Sequence, residues 1–193
     1  DLLQRLRDGR RQGFEGVGFS GGEPTSRGDF VELVAEARAL GYRRIALTTN
    51  GARLADARSR RALLTAGLDA VGWSVHDDHA SGHDALTGRP GSFAALVTGL
   101  EGTLRDAPPG RDFRANVFTV LTRRNATAPA RIMAAFRPRG IRLFVLQPLT
   151  FSRGTLDNLA PFALSLAEVQ AAVGAAATAA LHLDCRVKPF NLP

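Results

Sequence analysis

Apolar residues along this chain fall into two rhythms that take turns. Leu2, Leu3 and Leu6 share one side of a helix predicted over 2–12, with arginines on the other side and Gly13 as its stop. Val17 and Phe19 then predict a strand over 16–20 that halts in Ser20-Gly21-Gly22-Glu23-Pro24. Phe30, Leu33, Val34, Ala37 and Leu40 return to the helical spacing. Asp29-Phe30-Val31-Glu32 reads as a capping box at that helix's start, and Gly41 ends it. A strand over Arg44–Thr48 runs into Thr49-Asn50-Gly51, and a helix over 53–66 ends at Gly67. The strand 70–75 leads into a long loop from His76 to Gly91. Phe93, Leu96, Val97, Leu100 and Leu104 mark the next helix, stopped before Pro108-Pro109. From Phe113 to Leu121, Ala115, Val117, Thr119 and Leu121 alternate with Arg114, Asn116, Phe118 and Val120, the two-residue period of a strand. Ile132, Met133 and Phe136 predict a helix, and Ile141–Leu146 a strand running into Gln147-Pro148. After a loop, Ser165-Leu166-Ala167-Glu168 reads as a second capping box, and its helix carries Leu166, Val169 and Val173. His182 to Val187 is expected to close the chain as a last strand.

Strand and helix alternate about six times, which predicts an α/β protein with parallel strands and right-handed crossovers. Alternation alone leaves open whether such a sheet stays open or curls into a barrel. The 193 residues are expected to form a single domain with a sizeable core. In either architecture, ligand chemistry belongs at the carboxyl ends of the strands.

Composition narrows the picture by exclusion. The net charge of +7 invites a nucleic-acid partner, but Lys188 is the only lysine and the arginines are scattered, with no patch interleaved by aromatics. Nucleic acid is therefore not an expected partner. Cys185 is the only cysteine, which excludes a disulfide framework and a zinc site built from thiolates. No signal peptide is visible, and no apolar run is expected to span a membrane. The expected location is cytoplasmic. The chain opens without Met on a helical pattern already under way, which leads us to expect a piece of a longer protein.

The carboxyl ends of the predicted strands are consistently polar: Gly21-Gly22-Glu23-Pro24, then Thr49-Asn50, then Ser74 and His76, then Asn116 with Thr119 and Thr122, then Gln147. A scaffold has no need of five such ends, whereas one extended polar ligand laid across the rim does. In the first loop, two glycines leave the backbone bare, Glu23 supplies one negative charge and Pro24 fixes the following φ. That arrangement suits a ligand's amino group. It also suits an ordinary βα turn.

Gly21-Gly22-Glu23-Pro24 after an apolar strand resembles the GGEP motif of the radical S-adenosylmethionine (SAM) superfamily. Thr48-Thr49-Asn50-Gly51 is similar to the TNG ending of that family's next strand, and Asp84 to Phe93 is similar to its D-x-(I/L)-TG segment. The landmarks run in order over about residues 14–150. The resemblance implies a partial (β/α)6 barrel whose first strand and cluster loop are missing from these residues. It implies that Gly21, Gly22, Glu23 and Pro24 hold the amino end of SAM. Ser74 and Thr49, with Asn50, would meet its carboxylate or ribose, and Asn116 and Gln147 its ribose and adenine. His76 is a tentative substrate contact.

One departure is large. The family holds a [4Fe–4S] cluster on C-x-x-x-C-x-x-C, and this sequence has no such triad. The cluster ligands are expected outside these residues. The implied activity is reductive cleavage of SAM, supplied with an electron by a donor, to a 5′-deoxyadenosyl radical that acts on a small-molecule or peptide substrate. Two other functions remain open. His76, His79 and His83, with Asp77, Asp78 and Asp84, would suit a metal-dependent hydrolase or form a solvated polar loop. A cluster-free barrel would bind SAM, a nucleotide or a peptide without cleaving SAM.

Overall fold

A computed structural model describes residues 1–150 and 162–189. The segment expected as a loop before the Ser165 capping box, and the chain's last residues, lie partly outside the described residues. The chain divides into two compact units: Asp1–Trp73 with Ala94–Ala115, and Ser74–Phe93 with Asn116–Pro193.

In the first unit, helix α1 (Leu2–Arg11) starts on the Asp1 carboxylate, which accepts from the Leu3 amide at 3.0 Å. Leu6 is its buried residue, and the Tyr42 hydroxyl donates to the Leu6 carbonyl at 2.8 Å. Strand β1 (Gly16–Phe19) pairs parallel with β2 (Arg44–Thr49), Val17 opposite Ile45. Strand β2 pairs parallel with β3 (Ala70–Ser74), Thr49 opposite Trp73. Helix α2 (Phe30–Ala39) covers the strands with Phe30, Leu33, Val34 and Ala37, four of the five residues whose spacing predicts it. Its expected capping box does not form. The Asp29 side chain makes no cap bond and instead accepts from Arg27 Nε at 2.9 Å and Nη2 at 2.7 Å, because a guanidinium two residues away offers a charged donor.

The helix expected over 53–66 is two pieces. Residues Ala52–Ala55 form a 3-10 turn, and α3 (Ala57–Ala66) restarts on Asp56, whose extended backbone breaks the run and whose carboxylate caps the Ser59 amide at 2.7 Å. Helix α5 (Ser92–Asp106) buries Leu96 and Leu100 in this unit.

The second unit holds the largest surprise in secondary structure. The stretch His76–Gly91, expected as loop, contains helix α4 (Ala80–Thr87). Eight residues are too few for a helix to show in a periodicity, and Gly88, at φ +67°, ends it. The Asp84 carboxylate folds the connection that follows, accepting from the Gly91 amide (2.6 Å), the Ser92 hydroxyl (2.8 Å) and the Phe93 amide (2.8 Å). Strand β4 (Arg114–Leu121) pairs parallel with β5 (Leu143–Pro148), and β5 with β6 (Arg186–Pro189). Helix α6 (Pro129–Phe136) buries Ile132, Met133 and Phe136.

Helix α7 (Leu166–Leu183) opens on the capping box expected at Ser165 and Glu168, with both reciprocal bonds present. It buries Val169, Ala172, Ala176 and Ala180 and packs on α6. It continues through His182, where a strand was expected. A run of alanines propagates helix readily, and only Asp184, in the left-handed region at φ 50°, stops it. By length and composition this 18-residue helix, of mean hydropathy 1.3, is also long and apolar enough to cross a membrane, which corrects the expectation drawn from the sequence. Within the units the strands run parallel, β1-β2-β3 in the first and β4-β5-β6 in the second.

Candidate functional site

In the first unit, Glu23 is the fixed point. Its Oε1 accepts from the Thr25 amide (3.1 Å), the Thr25 hydroxyl (2.6 Å) and the Thr49 hydroxyl (2.8 Å), and its Oε2 from the Asn50 amide (2.8 Å). One carboxylate thus joins the loop after β1 to the end of β2. It also caps the 3-10 turn Pro24–Ser26, where Pro24 occupies the first position and needs no amide partner. Among the described residues Oε2 accepts a single bond, which leaves it an acceptor site to offer. Thr49 is buried, and its hydroxyl also accepts from the Gly51 amide at 3.1 Å. Gly51 sits at φ +81°, and a Cβ there would press on Trp73 at 3.0 Å and on the Leu96 Cα at 3.1 Å. The Thr-Asn-Gly ending is therefore a packed turn that presents the Asn50 amide to Glu23.

The glycines before Glu23 leave room. Gly21 takes φ +120°, which only glycine adopts readily, and a Cβ on either Gly21 or Gly22 would meet nothing within 4 Å. The open cavity beside this loop, about 440 Å³, is lined by Gly22, Glu23 and Pro24 together with Phe19 and Phe30. The residues present fit the amino end of an amino-acid-like ligand, with bare backbone, one unfilled carboxylate site and no side chain in the way.

In the second unit, Asn125 has the corresponding part. Its Oδ1 accepts from the Thr122 amide (2.7 Å) and hydroxyl (3.0 Å), and its Nδ2 donates to the carbonyls of His76 and Val120, both at 2.9 Å. All four hydrogen-bonding positions of this buried amide are thus filled internally. Thr119 donates to the Val75 carbonyl at 2.7 Å. The His76 amide donates to His83 Nδ1 at 3.2 Å, and the two rings stack with centroids 5.6 Å apart. Burial, and then the neighbouring His83, push the His76 imidazole down to about 4, so it is neutral near pH 7. Burial also lowers His83, against the opposing pull of Asp84 and Asp77.

The expected site residues are thus placed unequally. Glu23, Thr49 and Asn50 meet directly. Ser74 ends β3, and Gln147 is the next-to-last residue of β5, as strand-end positions require. Asn116 is not at a carboxyl end: it is the third residue of the eight in β4, and the groups beyond that strand's end are Thr122 and Asn125. Of the three residues expected at that end, Asn116, Thr119 and Thr122, Asn116 lies in the first half of the strand. Thr25 and Asn125 are the functional residues that periodicity overlooks. The signals for them are short-range: a threonine two residues after the glutamate, and an asparagine three residues after a threonine in a turn.

The three histidines do not converge as a metal site. His83 is buried against His76, whereas exposed His79 turns to Asp77 (2.9 Å) and Asp78 (3.4 Å). Asp77, Asp78 and His79 do lie close enough to hold an ion, but Arg131 already faces both carboxylates, at 3.7 and 3.1 Å.

In parallel α/β folds ligands bind at the carboxyl ends of the strands, and the open, carboxylate-anchored loop after β1 lies at such an end. The chain belongs to the radical SAM superfamily, whose family description matches residues 1–103. Among curated relatives, it is 34% identical over 104 residues to a probable GTP 3′,8-cyclase of Saccharolobus solfataricus, covering 54% of this chain and 33% of that one. It is 32% identical over 144 residues to an AdoMet-dependent heme synthase of Nitratidesulfovibrio vulgaris, covering 73% of this chain and 37% of that one. The chain therefore spans less than half the length of these relatives. In three dimensions it resembles Streptococcus suis SuiB bound to S-adenosylmethionine, with a TM-score of 0.77 at 15% identity over 98% of this chain and 42% of that one. It also resembles anSMEcpe with bound AdoMet and Kp18Cys peptide, with a TM-score of 0.71 at 17% identity over 97% of this chain and 54% of that one. These likenesses establish the fold, the partial (β/α)6 barrel that the family resemblance implies.

Proposed function

We propose that this chain is the SAM-binding core of a radical SAM enzyme acting on a small-molecule or peptide substrate. The observation that carries it is Glu23: pinned from three sides, with an acceptor site left on Oε2, beside a glycine loop open to solvent. SAM fits that loop. Gly21 and Gly22 would let its amino end approach the backbone, and Glu23 would offset its charge. When bound and reduced, SAM supplies the family with a carbon radical that abstracts hydrogen. Thr49 and Asn50 hold the carboxylate in place for that role, and Ser74 and Gln147 offer polar groups at the ends of β3 and β5.

A [4Fe–4S] cluster does not fit these residues. Cys185, the only cysteine, lies just before β6 with its sulfur 3.4 Å from the Leu183 carbonyl, and a cluster requires several thiolates at short spacing. The thiolates and the electron donor belong to the proposal as parts supplied from beyond this chain's residues, and a cytoplasmic setting accords with that chemistry.

The test is SAM titration of the native protein by calorimetry. Glu23→Ala and Gly22→Val are each expected to weaken SAM at least tenfold, with circular dichroism unchanged; a charge-assisted contact is worth about 1.5–3 kcal/mol. Wild-type affinity retained in both variants would overturn the proposal.

A further inference from the structure

The Thr-Asn-Gly ending of β2 runs straight into the 3-10 turn Ala52–Ala55, and the Asn50 amide that meets Glu23 stands at its entrance. The Leu54 amide donates to the Gly51 carbonyl at 3.0 Å, so residues 51–54 move together. Their position is set from the side, by helix α5 of the same unit.

Helix α5 buries two glycines one turn apart, Gly99 and Gly102. Glycine weakens a helix interior, so each calls for a reason. Packing supplies it. A Cβ on Gly99 would stand 2.8 Å from the Gly51 carbonyl oxygen, 3.1 Å from the Ala55 nitrogen and 3.2 Å from the Leu54 carbonyl carbon. All three are backbone atoms, so no side chain can swing aside. From the other direction, a Cβ on Gly51 would press on the Cα of Leu96, one turn earlier in α5. Helix and turn lie backbone against backbone.

Gly102 reaches the same turn by a longer route. A Cβ there would stand 2.6 Å from the Arg60 Cζ. The bare position admits the buried Arg60 guanidinium, whose Nη1 donates to the carbonyls of Leu54 (2.9 Å) and Ala55 (3.3 Å). Asp106, the last residue of α5, accepts from Arg60 Nε at 2.9 Å. The helix thus seats the start of the turn on bare backbone and holds its end through a captured cation.

We propose that Gly99 and Gly102 are positioning residues of the SAM site. They fix the Gly51–Ala55 turn, the turn fixes the Asn50 amide, and that amide donates to Glu23 Oε2. The placement of Oε2 then decides how well the carboxylate meets the amino end of SAM. This inference rests on the proposed function, since it concerns the site assigned there to SAM.

The experiment measures SAM affinity by calorimetry and stability by urea unfolding on the native protein and its variants. Gly99→Ala is expected to weaken SAM about fivefold, because the backbone it meets must shift and a charge-assisted contact loses its geometry. Gly9→Ala is the control. A Cβ on Gly9 would collide with the Tyr42 hydroxyl, in the same unit, but Tyr42 precedes β2 at the end opposite Thr49. Its stability is expected to fall while SAM affinity stays within about twofold of wild type, as distant sites act independently. On top of Glu23→Ala, Gly99→Ala is expected to add less than about twofold, since the group it positions is gone. Should Gly99→Ala unfold, Gly102→Ala carries the test. It meets only the tip of a side chain, which can yield, and is expected to weaken SAM about threefold through Arg60.

Unchanged SAM affinity in both α5 variants, an equal loss in Gly9→Ala, or a full further loss on top of Glu23→Ala would each overturn the inference. The two proposals fail differently. Native protein that binds no SAM, or a Glu23→Ala variant that binds it as tightly as wild type, sinks the function assigned to the site. SAM binding that Glu23→Ala weakens and the α5 variants leave alone sinks only the role of α5.

Discussion

The loops after β1 and β4 solve the same problem with opposite chemistry. Each ties its strand end to a neighbour through one side chain with four hydrogen bonds. In the first unit that side chain is a carboxylate, Glu23, bonded to Thr25, Thr49 and Asn50 at the edge of an open glycine loop. In the second it is a neutral amide, Asn125, buried beneath an apolar cavity. A carboxylate accepts only, so it gathers donors and keeps a net charge to offer a cationic ligand group. An amide both donates and accepts, so it can close a buried network and present no charge at all. The first arrangement offers charge and bare backbone, the second only shape.

The sharpest way to break this comparison is to remove the amide. Asn125→Leu leaves the Thr122 amide and hydroxyl and two carbonyls without partners in a buried place. The expected loss is about 3–4 kcal/mol, measured by urea unfolding, since each orphaned buried group costs about 1–3 kcal/mol. A loss under about 1 kcal/mol would show that Asn125 does not organise its rim.

Acid should separate the units next. The His76 imidazole, held at about 4 by burial in the fold, has a value near 6.5 when exposed. Its folded value is depressed, so the associated stability is present above pH 6.5. It is lost as pH falls toward 4, where the unfolded chain takes up a proton that the fold refuses. His83, lowered by burial as well, acts with the same sign. The expected cost is about 2 kcal/mol across that window, read as a fall in the urea midpoint. His76→Phe is expected to flatten the slope between pH 6.5 and 4. A slope unchanged in that variant would place the titration elsewhere.

These contrasts also mark how far the sequence carried. The order of strands and helices, the parallel α/β class and the glycine loop were all legible, because burial periodicity and glycine punctuation are local signals. Glu23, Thr49 and Asn50 were legible as a set through the family resemblance, though not their contact, which depends on pairing between β1 and β2. The second rim was harder. Helix α4 spans only Ala80–Thr87 and shows too few turns for a period to register. Asn116 was credited with a rim position beside Thr122, yet it lies in the first half of β4, and the residue that ties Thr122 in place is Asn125. The Asp29 capping box failed for a similar reason: Arg27 competes for the same carboxylate, and spacing alone does not weigh competitors. By contrast Ser165 and Glu168 face no such rival and form the box in full.

The smallest predicted effect tests whether the first rim is built for a ligand or only for itself. Thr49→Val keeps the side chain's shape and removes one donor to Glu23 and one acceptor for the Gly51 amide. Glu23 would keep its bonds from Thr25 and Asn50, so the loop should stay folded, at a cost of about 1 kcal/mol. If the carboxylate serves SAM, loosening it on one side should weaken SAM by more than that cost implies for the fold, because a ligand contact depends on where the carboxylate is held. Calorimetry and urea unfolding on the same variant give the two numbers. A SAM affinity unchanged while stability falls would mean that Thr49 braces the turn alone. The carboxylate would then be a structural staple, and recognition would rest on the glycine backbone.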